Sequence, residues 1–194
     1  DYSFRSLSLP LPVIGVCMHS SFNDTISLVD MDPFSATRQA VGFFRERGHD
    51  KVNVVTTDSP AYKARGDIFV DEWQREHGTV EFISPEDCNA AEAGKAFLFT
   101  SGGILQSFLI KCRQNRNIEL EKIADVLGFD GKCMIDPDLI KTPVIAGDWQ
   151  QVGLFALEDT IIRIKNPGML PRRIYVPGKL KLTNTDTTTG AKND

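Results

Sequence analysis

The feature of this sequence that most limits its possible folds is the alternation of short apolar runs with helical patterns. The runs predict strands near residues 13–18, 26–29, 51–56, 79–83, 96–100, 123–128, 143–146 and 172–176. Helices are predicted between them, at about 33–47, 60–75, 88–95, 104–112 and 148–165. Strands that alternate with helices of this length are typical of βαβ units with right-handed crossovers. The sequence therefore predicts an α/β fold, doubly wound around parallel sheets.

The stretch VDMDPFSATRQAVGFFRERGHDKVNVV, residues 29–55, shows one such step. Asp32 suits the N-cap of a helix and Pro33 suits its first position, where a missing N–H has no cost. Gly48 can adopt the left-handed backbone conformation that is common at the position directly after a helix. One apolar helix face is formed by Ala36, Ala40, Phe43 and Phe44. We therefore expect a helix that leads directly into a buried strand.

The last predicted helix is apolar over a wide arc. Its stripe consists of Leu154, Leu157, Ile161 and Ile164, with Val152 and Phe155 beside it. An arc this wide predicts a helix that is buried against a sheet and against a second element as well.

Composition and charge exclude several classes of function. The chain has 194 residues, 41% of them hydrophobic, and a net charge of -4, with its basic residues in short local groups. Nucleic-acid binding by this segment itself is therefore not predicted, because phosphate contacts need clustered cations. Four scattered cysteines without a CxxC pair predict neither zinc nor disulfides, but reduced thiols in a cytoplasmic protein. No apolar run approaches the roughly 18 residues of a membrane span, so no membrane partner is expected.

Polar residues follow the predicted strands at the edge where doubly wound sheets bind ligands. They are Asp30 and Asp32, Thr56 to Ser59, Ser101 to Gly103, Asp130 and Asp148. Each Asp is also a good N-cap, and helix capping is therefore the alternative to ligand binding for these aspartates.

No catalytic constellation is recognisable. The stretch Ser101-Gly102-Gly103 lies where a phosphate-binding loop would be, but lacks both G-x-G-x-x-G and Gly-Lys-Ser. The three histidines are far apart, and no serine lies in a G-x-S-x-G turn. The sequence predicts no enzyme, no cofactor and no metal site.

Arg65 and Asp130 are the pair of most interest. Arg65 is expected early on a helix and Asp130 directly after a strand, both near the edge where ligands bind. A guanidinium and a carboxylate together offer the donors and acceptors that vicinal hydroxyls need. The alternative is a simple salt bridge between a helix and a loop.

Five segments carry a resemblance to a known family. They are residues 29–55, KARGDIFVDEW, IADVLGFDG, DWQQVGLFALEDTIIRI and RRIYVP. In this order and spacing they resemble the effector-binding domain of LacI/GalR-type transcriptional repressors, over roughly residues 12–180. The resemblance implies a periplasmic-binding-protein-like fold of two α/β lobes around a sugar-sized cleft, with the first lobe incomplete in this chain.

The resemblance also implies roles for individual residues. Asp32 matches an acidic position that lines the cleft, Arg65 matches the arginine that clamps the effector, and Asp130 matches the aspartate of a Gly-Phe-Asp motif. The other ligand-binding candidates are Ser101, Gly102, Asp148 and Trp149.

The sequence departs from the family pattern in three features, which involve four residues. Ser101 and Gly102 replace the usual Asn-Asp, and Ile68 replaces a glycine after the arginine. Cys88 falls near a position often held by an aromatic residue that stacks on the ligand. Together these departures predict unusual ligand chemistry.

The implied domain organisation has four parts. Residues 1–31 are the remainder of the N-terminal lobe and residues 32–130 the C-terminal lobe. Residues 131–182 contain a hinge crossover and the return to the N-terminal lobe, and residues 183–194 form a disordered tail. Crossovers between the lobes are expected near 30–33, 128–132 and 146–149.

The implied function is a cytoplasmic transcriptional regulator. The chain would supply the effector-binding and dimerisation core of this regulator and bind a sugar or sugar derivative. The regulator would be a homodimer and would bind operator DNA through a helix-turn-helix domain not present in this chain. The alternative is a solute-binding protein of a sugar ABC transporter. A third possibility, an α/β enzyme with Asp130 or Asp32 as a base, lacks a partner acid, a metal set and a cofactor loop.

Overall fold

A computed structural model describes residues 11–16, 26–76, 78–88, 95–114, 124–130 and 142–182. The strands are β1 (Ile14–Val16), β2 (Ser27–Asp32), β3 (Lys51–Val55), β4 (Thr79–Ile83), β5 (Lys95–Phe99), β6 (Ala124–Phe129), β7 (Val144–Ala146), β8 (Arg173–Pro177) and β9 (Lys179–Lys181). The helices are α1 (Pro33–Glu46), α2 (Pro60–Arg75), α3 (Gly102–Gln114) and α4 (Trp149–Lys165). The predicted alternation of strands and helices is confirmed.

The strands form two sheets. The smaller sheet has the order β1-β2-β8, and the larger has the order β4-β3-β5-β6-β7-β9. All pairs are parallel except β7 with β9. The predicted α/β architecture of doubly wound parallel sheets is confirmed, with one antiparallel strand at the edge of the larger sheet.

Both faces of the larger sheet are buried. Helices α1 and α2 cover one face, and α3 covers the other with Leu105, Phe108 and Leu109. The aromatic core on the first face includes Phe43, Phe44, Phe69 and Trp73, each 2% exposed or less. Burying each such side chain contributes about 1.5–3 kcal/mol to stability. Because helices cover both faces of the sheet, side chains on both faces of β3 and β5 are buried, and these strands are apolar almost throughout.

The predicted helix start at Asp32 is confirmed. The Asp32 side chain accepts a hydrogen bond from the Phe34 N–H at 3.0 Å, and Pro33 occupies the first position of α1. After α1 the backbone turns at Gly48 with φ +75°, a conformation that favours glycine. The local sequence therefore sets both ends of this helix.

The prediction that the stripe on α4 is buried is wrong. Leu154, Leu157, Ile161 and Ile164 are 43–58% exposed. The helix contacts the smaller sheet instead through Val152, Phe155 and Ala156, which pack against Val29 and Val176. A sheet of three strands covers only one side of a helix, so the rest of the apolar arc stays exposed.

The chain passes between the two sheets at three described places. They lie between β2 and α1, between β7 and α4, and between β8 and β9. The expected crossover near 128–132 is wrong, because β6 and β7, which flank it, pair within the larger sheet. The sequence pattern also gave no sign of β9, which is only three residues long and has a single apolar residue, Leu180.

The elements between residues 33 and 129 all belong to the larger sheet and its helices. Residues 131–182, expected as one return to the smaller lobe, are divided: β7 and β9 lie in the larger sheet, and β8 in the smaller. The predicted helix at 88–95 and the tail at 183–194 fall mainly or wholly outside the described residues. The domain boundaries stay predictions.

Candidate ligand site at the strand ends

Arg65 lies in the second turn of α2 and is buried, with 5% of its surface exposed. Its Nη1 donates to Asp130 Oδ2 at 2.6 Å and to the carbonyl oxygen of Thr100 at 2.9 Å. These two partners follow β6 and β5, so the guanidinium joins α2 to the carboxyl ends of two neighbouring strands. Arg65 and Asp130 therefore face each other as expected, and their contact is also the salt bridge between a helix and a loop that stands as the alternative; a ligand-binding role for the pair stays a prediction.

The approach of α2 to the sheet depends on the residue that follows the arginine. A Cβ added to Gly66 would lie 3.0 Å from the Phe82 ring and 3.3 Å from Val54. A side chain at this position would require Phe82, Val54 or the helix to shift by a few tenths of an ångström, so the glycine allows the close approach of α2 that places Arg65. Gly66 is a contributor to the site that sequence reasoning missed, and a glycine directly after the arginine was the available signal.

Asp130 has an unusual backbone conformation. Its φ is +77°, a left-handed conformation that residues other than glycine seldom adopt, although aspartate tolerates it better than most. Its N–H donates to the carbonyl oxygen of Ile145 at 3.1 Å, which fixes the end of β6 beside β7. Such conformations persist where the surroundings hold them, and they are concentrated at ligand sites.

The Arg65–Asp130 pair is incompletely satisfied. Asp130 Oδ1 is buried and has no hydrogen-bond partner within the described ranges. Among the described residues Arg65 uses only Nη1, so Nε and Nη2 keep their donors. Burying two opposite charges is tolerable because they pair, but the buried acceptor Asp130 Oδ1 remains costly until a donor binds it. The pair therefore presents donors and an acceptor side by side.

Hydroxyl groups line the adjoining strand ends. The Thr100 hydroxyl lies 3.0 Å from that of Thr56 and donates to the Val55 carbonyl oxygen at 3.3 Å. Ser101 Oγ accepts from the Ile104 N–H at 3.3 Å and so caps α3. Ser101 and Gly102 are buried, and both lie one or two residues beyond the Thr100 carbonyl that Arg65 binds. Thr100 was not predicted as part of this group, because it reads as the last residue of a strand.

The other three predicted site residues lie at the connections between the sheets. Asp32 caps α1, and Asp148 caps α4 by accepting from the Gln151 N–H at 3.0 Å. Trp149 is partly buried against the core of the smaller sheet, with its ring beside Gly147. None of the three makes a described hydrogen bond to Arg65 or Asp130. The capping role is confirmed for both aspartates, and a ligand-binding role for all three stays a prediction.

His49 belongs to the opposite edge of the sheet. Its Nε2 lies 2.6 Å from Asp125 Oδ2, near the amino ends of β3 and β6, and Arg47 approaches the same carboxylate at 3.4 Å. These contacts make His49 a local structural group that joins the start of β3 to the start of β6. It takes no part in the site around Arg65.

Cys88 and Cys112, the two cysteines that the structure describes, both pack in the core that α3 covers. Cys112 is 3% exposed, and burial raises its pKa. Burial raises the pKa of Cys88 to about 12, so this thiol stays protonated and unreactive near neutral pH. No three metal-binding side chains come together in the part of the chain that the structure describes. No helix there has the length and apolarity needed to cross a membrane.

Comparison with known proteins gives a clear result for structure and none for sequence. No protein-family profile matches the chain, and no curated protein matches it significantly in sequence. A periplasmic binding protein/LacI transcriptional regulator from Alkaliphilus metalliredigens, complexed with D-xylulofuranose, is similar with a TM-score of 0.71 and 17% identity, over 90% of this chain and 70% of that one.

Two further solved structures are similar to the same extent. A LacI family transcriptional regulator from Enterococcus faecalis with bound ribose has a TM-score of 0.69 and 17% identity, over 89% of this chain and 67% of that one. A LacI family transcriptional regulator from Arthrobacter in complex with lactose has a TM-score of 0.67 and 14% identity, over 89% and 70% of the two chains. The chain therefore has the periplasmic-binding-protein-like fold of LacI-family transcriptional regulators.

Proposed function

We propose that this chain is the ligand-binding core of a transcriptional regulator and that it binds a small polar molecule, a sugar or a sugar derivative. The observation that carries the proposal is the buried Arg65–Asp130 pair, whose donors and acceptor are only partly used. The pair lies at the carboxyl ends of β5 and β6, where open α/β sheets bind ligands.

Vicinal hydroxyls match the unused groups of this pair. One hydroxyl would donate to Asp130 Oδ1, and a neighbouring oxygen would accept from the free N–H groups of Arg65. Hydrogen bonds to charged groups contribute about 1.5–3 kcal/mol each, so two of them discriminate strongly against an apolar ligand. The sugars bound in the structural neighbours, ribose and lactose among them, are ligands of this chemical kind.

Regulation would follow from the two-sheet architecture. A ligand held between the sheets favours one relative placement of them, and a coupling of about 1–3 kcal/mol is enough to change the affinity for another partner. In this proposal the protein is cytoplasmic and dimeric, and it reaches operator DNA through a helix-turn-helix domain outside this chain. A solute-binding protein would share the fold, but the similar structures are described as regulators.

The proposal is tested with Arg65→Lys, which keeps the charge but removes the forked set of donors. Titration calorimetry with ribose, D-xylulose, sucrose and lactose should show at least a tenfold loss of affinity for whichever sugar binds the unaltered protein. The matched control is Arg75→Lys on the same helix, where the arginine side chain is 69% exposed and, among the described residues, pairs with Glu72 alone. Binding that is unchanged in folded Arg65→Lys, or no binding of any of these sugars, would contradict the proposal.

A further inference from the structure

Two aromatic rings lie close to the guanidinium of Arg65. Its Cζ is 5.8 Å from the ring centroid of Phe129 and 5.9 Å from that of Tyr62, and both distances are within the range of cation–π contacts. Phe129 is 1% exposed and belongs to the core that α1 and α2 cover. Tyr62 is only partly buried, so part of this residue remains accessible next to the guanidinium.

The position of Tyr62 in α2 directs its side chain toward the strand ends. Tyr62 is the third residue of the helix, and Arg65 follows it one turn later on the same face. Helical side chains lean toward the amino terminus of their helix, which for α2 lies just after the carboxyl end of β3. The Tyr62 ring is therefore at the edge of the sheet where open α/β folds bind ligands.

The described contacts of Tyr62 are few. Its ring contacts Arg65 but belongs to none of the clusters of the hydrophobic core. Within the described ranges its hydroxyl makes no hydrogen bond, although a tyrosine hydroxyl that is buried usually has a partner. Core packing therefore does not explain why an aromatic residue stands at this position.

A sugar presents an apolar surface as well as hydroxyls. The hydroxyls lie at the edge of the sugar ring, whereas its C–H groups form an apolar face, and ligand sites combine a few oriented polar groups with aromatic walls. Arg65 and Asp130 supply only polar groups. Cys88, near the position where the resemblance implies a stacking aromatic residue, has no ring and packs in the core that α3 covers. Tyr62 is placed to supply the apolar surface instead.

We propose that Tyr62 is the stacking residue of this site. The C–H face of a sugar ring lies on the Tyr62 ring, while the hydroxyls at the edge of the sugar bind Arg65 and Asp130. This inference rests on the proposed function and adds the residue that orients its ligand.

Two substitutions separate the ring of Tyr62 from its hydroxyl. Titration calorimetry uses the sugar among ribose, D-xylulose, sucrose and lactose that binds the unaltered protein. Tyr62→Leu keeps an apolar side chain but removes the ring, and should bind that sugar about tenfold more weakly, whereas Tyr62→Phe keeps the ring and nearly the full affinity. The control is Tyr175→Leu, the same change at a tyrosine that is 41% exposed on β8, which should leave the affinity unchanged.

A spectroscopic measurement distinguishes stacking from an indirect effect through Arg65. A tyrosine that only supported the guanidinium would not contact the sugar, so its absorption would change little when the sugar binds. Direct stacking predicts a change in the tyrosine band of the near-ultraviolet difference spectrum on addition of the sugar. This change should occur in the unaltered protein and in Tyr175→Phe, and it should be absent from Tyr62→Phe.

Three results would overturn the inference: undiminished sugar affinity in folded Tyr62→Leu, equal losses of affinity in Tyr62→Leu and Tyr62→Phe, or a tyrosine difference band that persists at full strength in Tyr62→Phe. If sugar affinity falls in Arg65→Lys but not in Tyr62→Leu, the proposed function survives while the inference fails. No binding of any of the four sugars to the unaltered protein would contradict both.

Discussion

Arg65 Nη1 and Asp130 Oδ2 lie 2.6 Å apart, although 65 residues separate them in the chain. Both side chains are nearly buried, and the carboxylate belongs to a residue with a left-handed backbone. Their contact holds the first half of α2 against the end of β6. It ties a helix to a strand that it does not adjoin in sequence, so the pair has a structural role as well as the proposed role in binding.

Asp130→Asn should destabilise the protein by roughly 2 kcal/mol. The amide still accepts a hydrogen bond but leaves Arg65 without its counter-charge in a buried setting, and breaking a buried pair is costly. Asparagine also tolerates the left-handed conformation, so the backbone contributes little to the change. Urea denaturation measures the effect, with Glu72→Gln in the exposed pair with Arg75 as the control. A loss under about 0.5 kcal/mol, equal to that of the control, would contradict this expectation.

Asp159 should make folding sensitive to acid. It is fully buried on α4 and accepts hydrogen bonds from Arg163 Nε and Arg172 Nε, each at 2.8 Å. Burial alone would raise the Asp159 pKa, but the hydrogen bonds from Ser27, Arg172 and Arg163 outweigh it and lower that pKa. A carboxyl with a lowered folded pKa stabilises the protein above its unfolded pKa of about 3.9 and loses this effect as the pH falls through the folded value.

Asp159→Asn should therefore cost roughly 3 kcal/mol at pH 7, because two arginines lose their counter-charge. The variant should also lose less of its remaining stability than the unaltered protein between pH 5 and pH 3. Chemical denaturation at pH 7, 5 and 3 measures both effects. Parallel losses of stability in the two proteins over that acid range would show that Asp159 is not responsible.

Two glycines should respond in opposite directions to alanine. A Cβ on Gly128 would lie 2.4 Å from Leu105 Cδ2, so Gly128→Ala should destabilise the larger sheet by about 1–3 kcal/mol through overpacking. A Cβ on Gly42 would meet nothing within 4 Å, in the middle of α1. Gly42→Ala should stabilise the protein by about 0.5–1 kcal/mol, because alanine loses less backbone entropy in a helix. Thermal denaturation compares the two, and shifts of the same sign would contradict this account.

The exposed stripe on α4 should tolerate truncation if it is solvated in solution. Leu157→Ala, at a side chain that is 58% exposed, should change stability by no more than about 0.5 kcal/mol. The comparison is Leu105→Ala at a fully buried position, where about 2–5 kcal/mol should be lost. A loss above about 2 kcal/mol for Leu157→Ala would mean that another surface covers this face in solution, and sedimentation of the two proteins would show whether that surface is a second copy.

Much of the fold could be read from the order of residues, because local rules set it. Asp32 and Pro33 mark the start of α1, and period-2 or continuous apolar runs mark eight of the strands. Strand β9 was not predicted, since three residues with one apolar side chain, Leu180, are too short a run to show a period, and the strand is recognised only by its pairing with β7. The burial of α4 was predicted wrongly for a related reason: periodicity shows that a face is apolar, but not whether enough sheet lies beside it.

The sequence by itself predicted the alternating strands and helices, the identities of Arg65 and Asp130, and the neutral start of α3. It could do so because composition, caps and periodicity act over a few residues. Three-dimensional packing decided the rest: that a guanidinium from α2 contacts the end of β6, that Asp130 Oδ1 has no donor among the described residues, and that α4 leaves its leucines in water. These depend on distances between segments far apart in the chain. Local sequence preferences do not determine such distances, whereas the packing of the two sheets and their helices does.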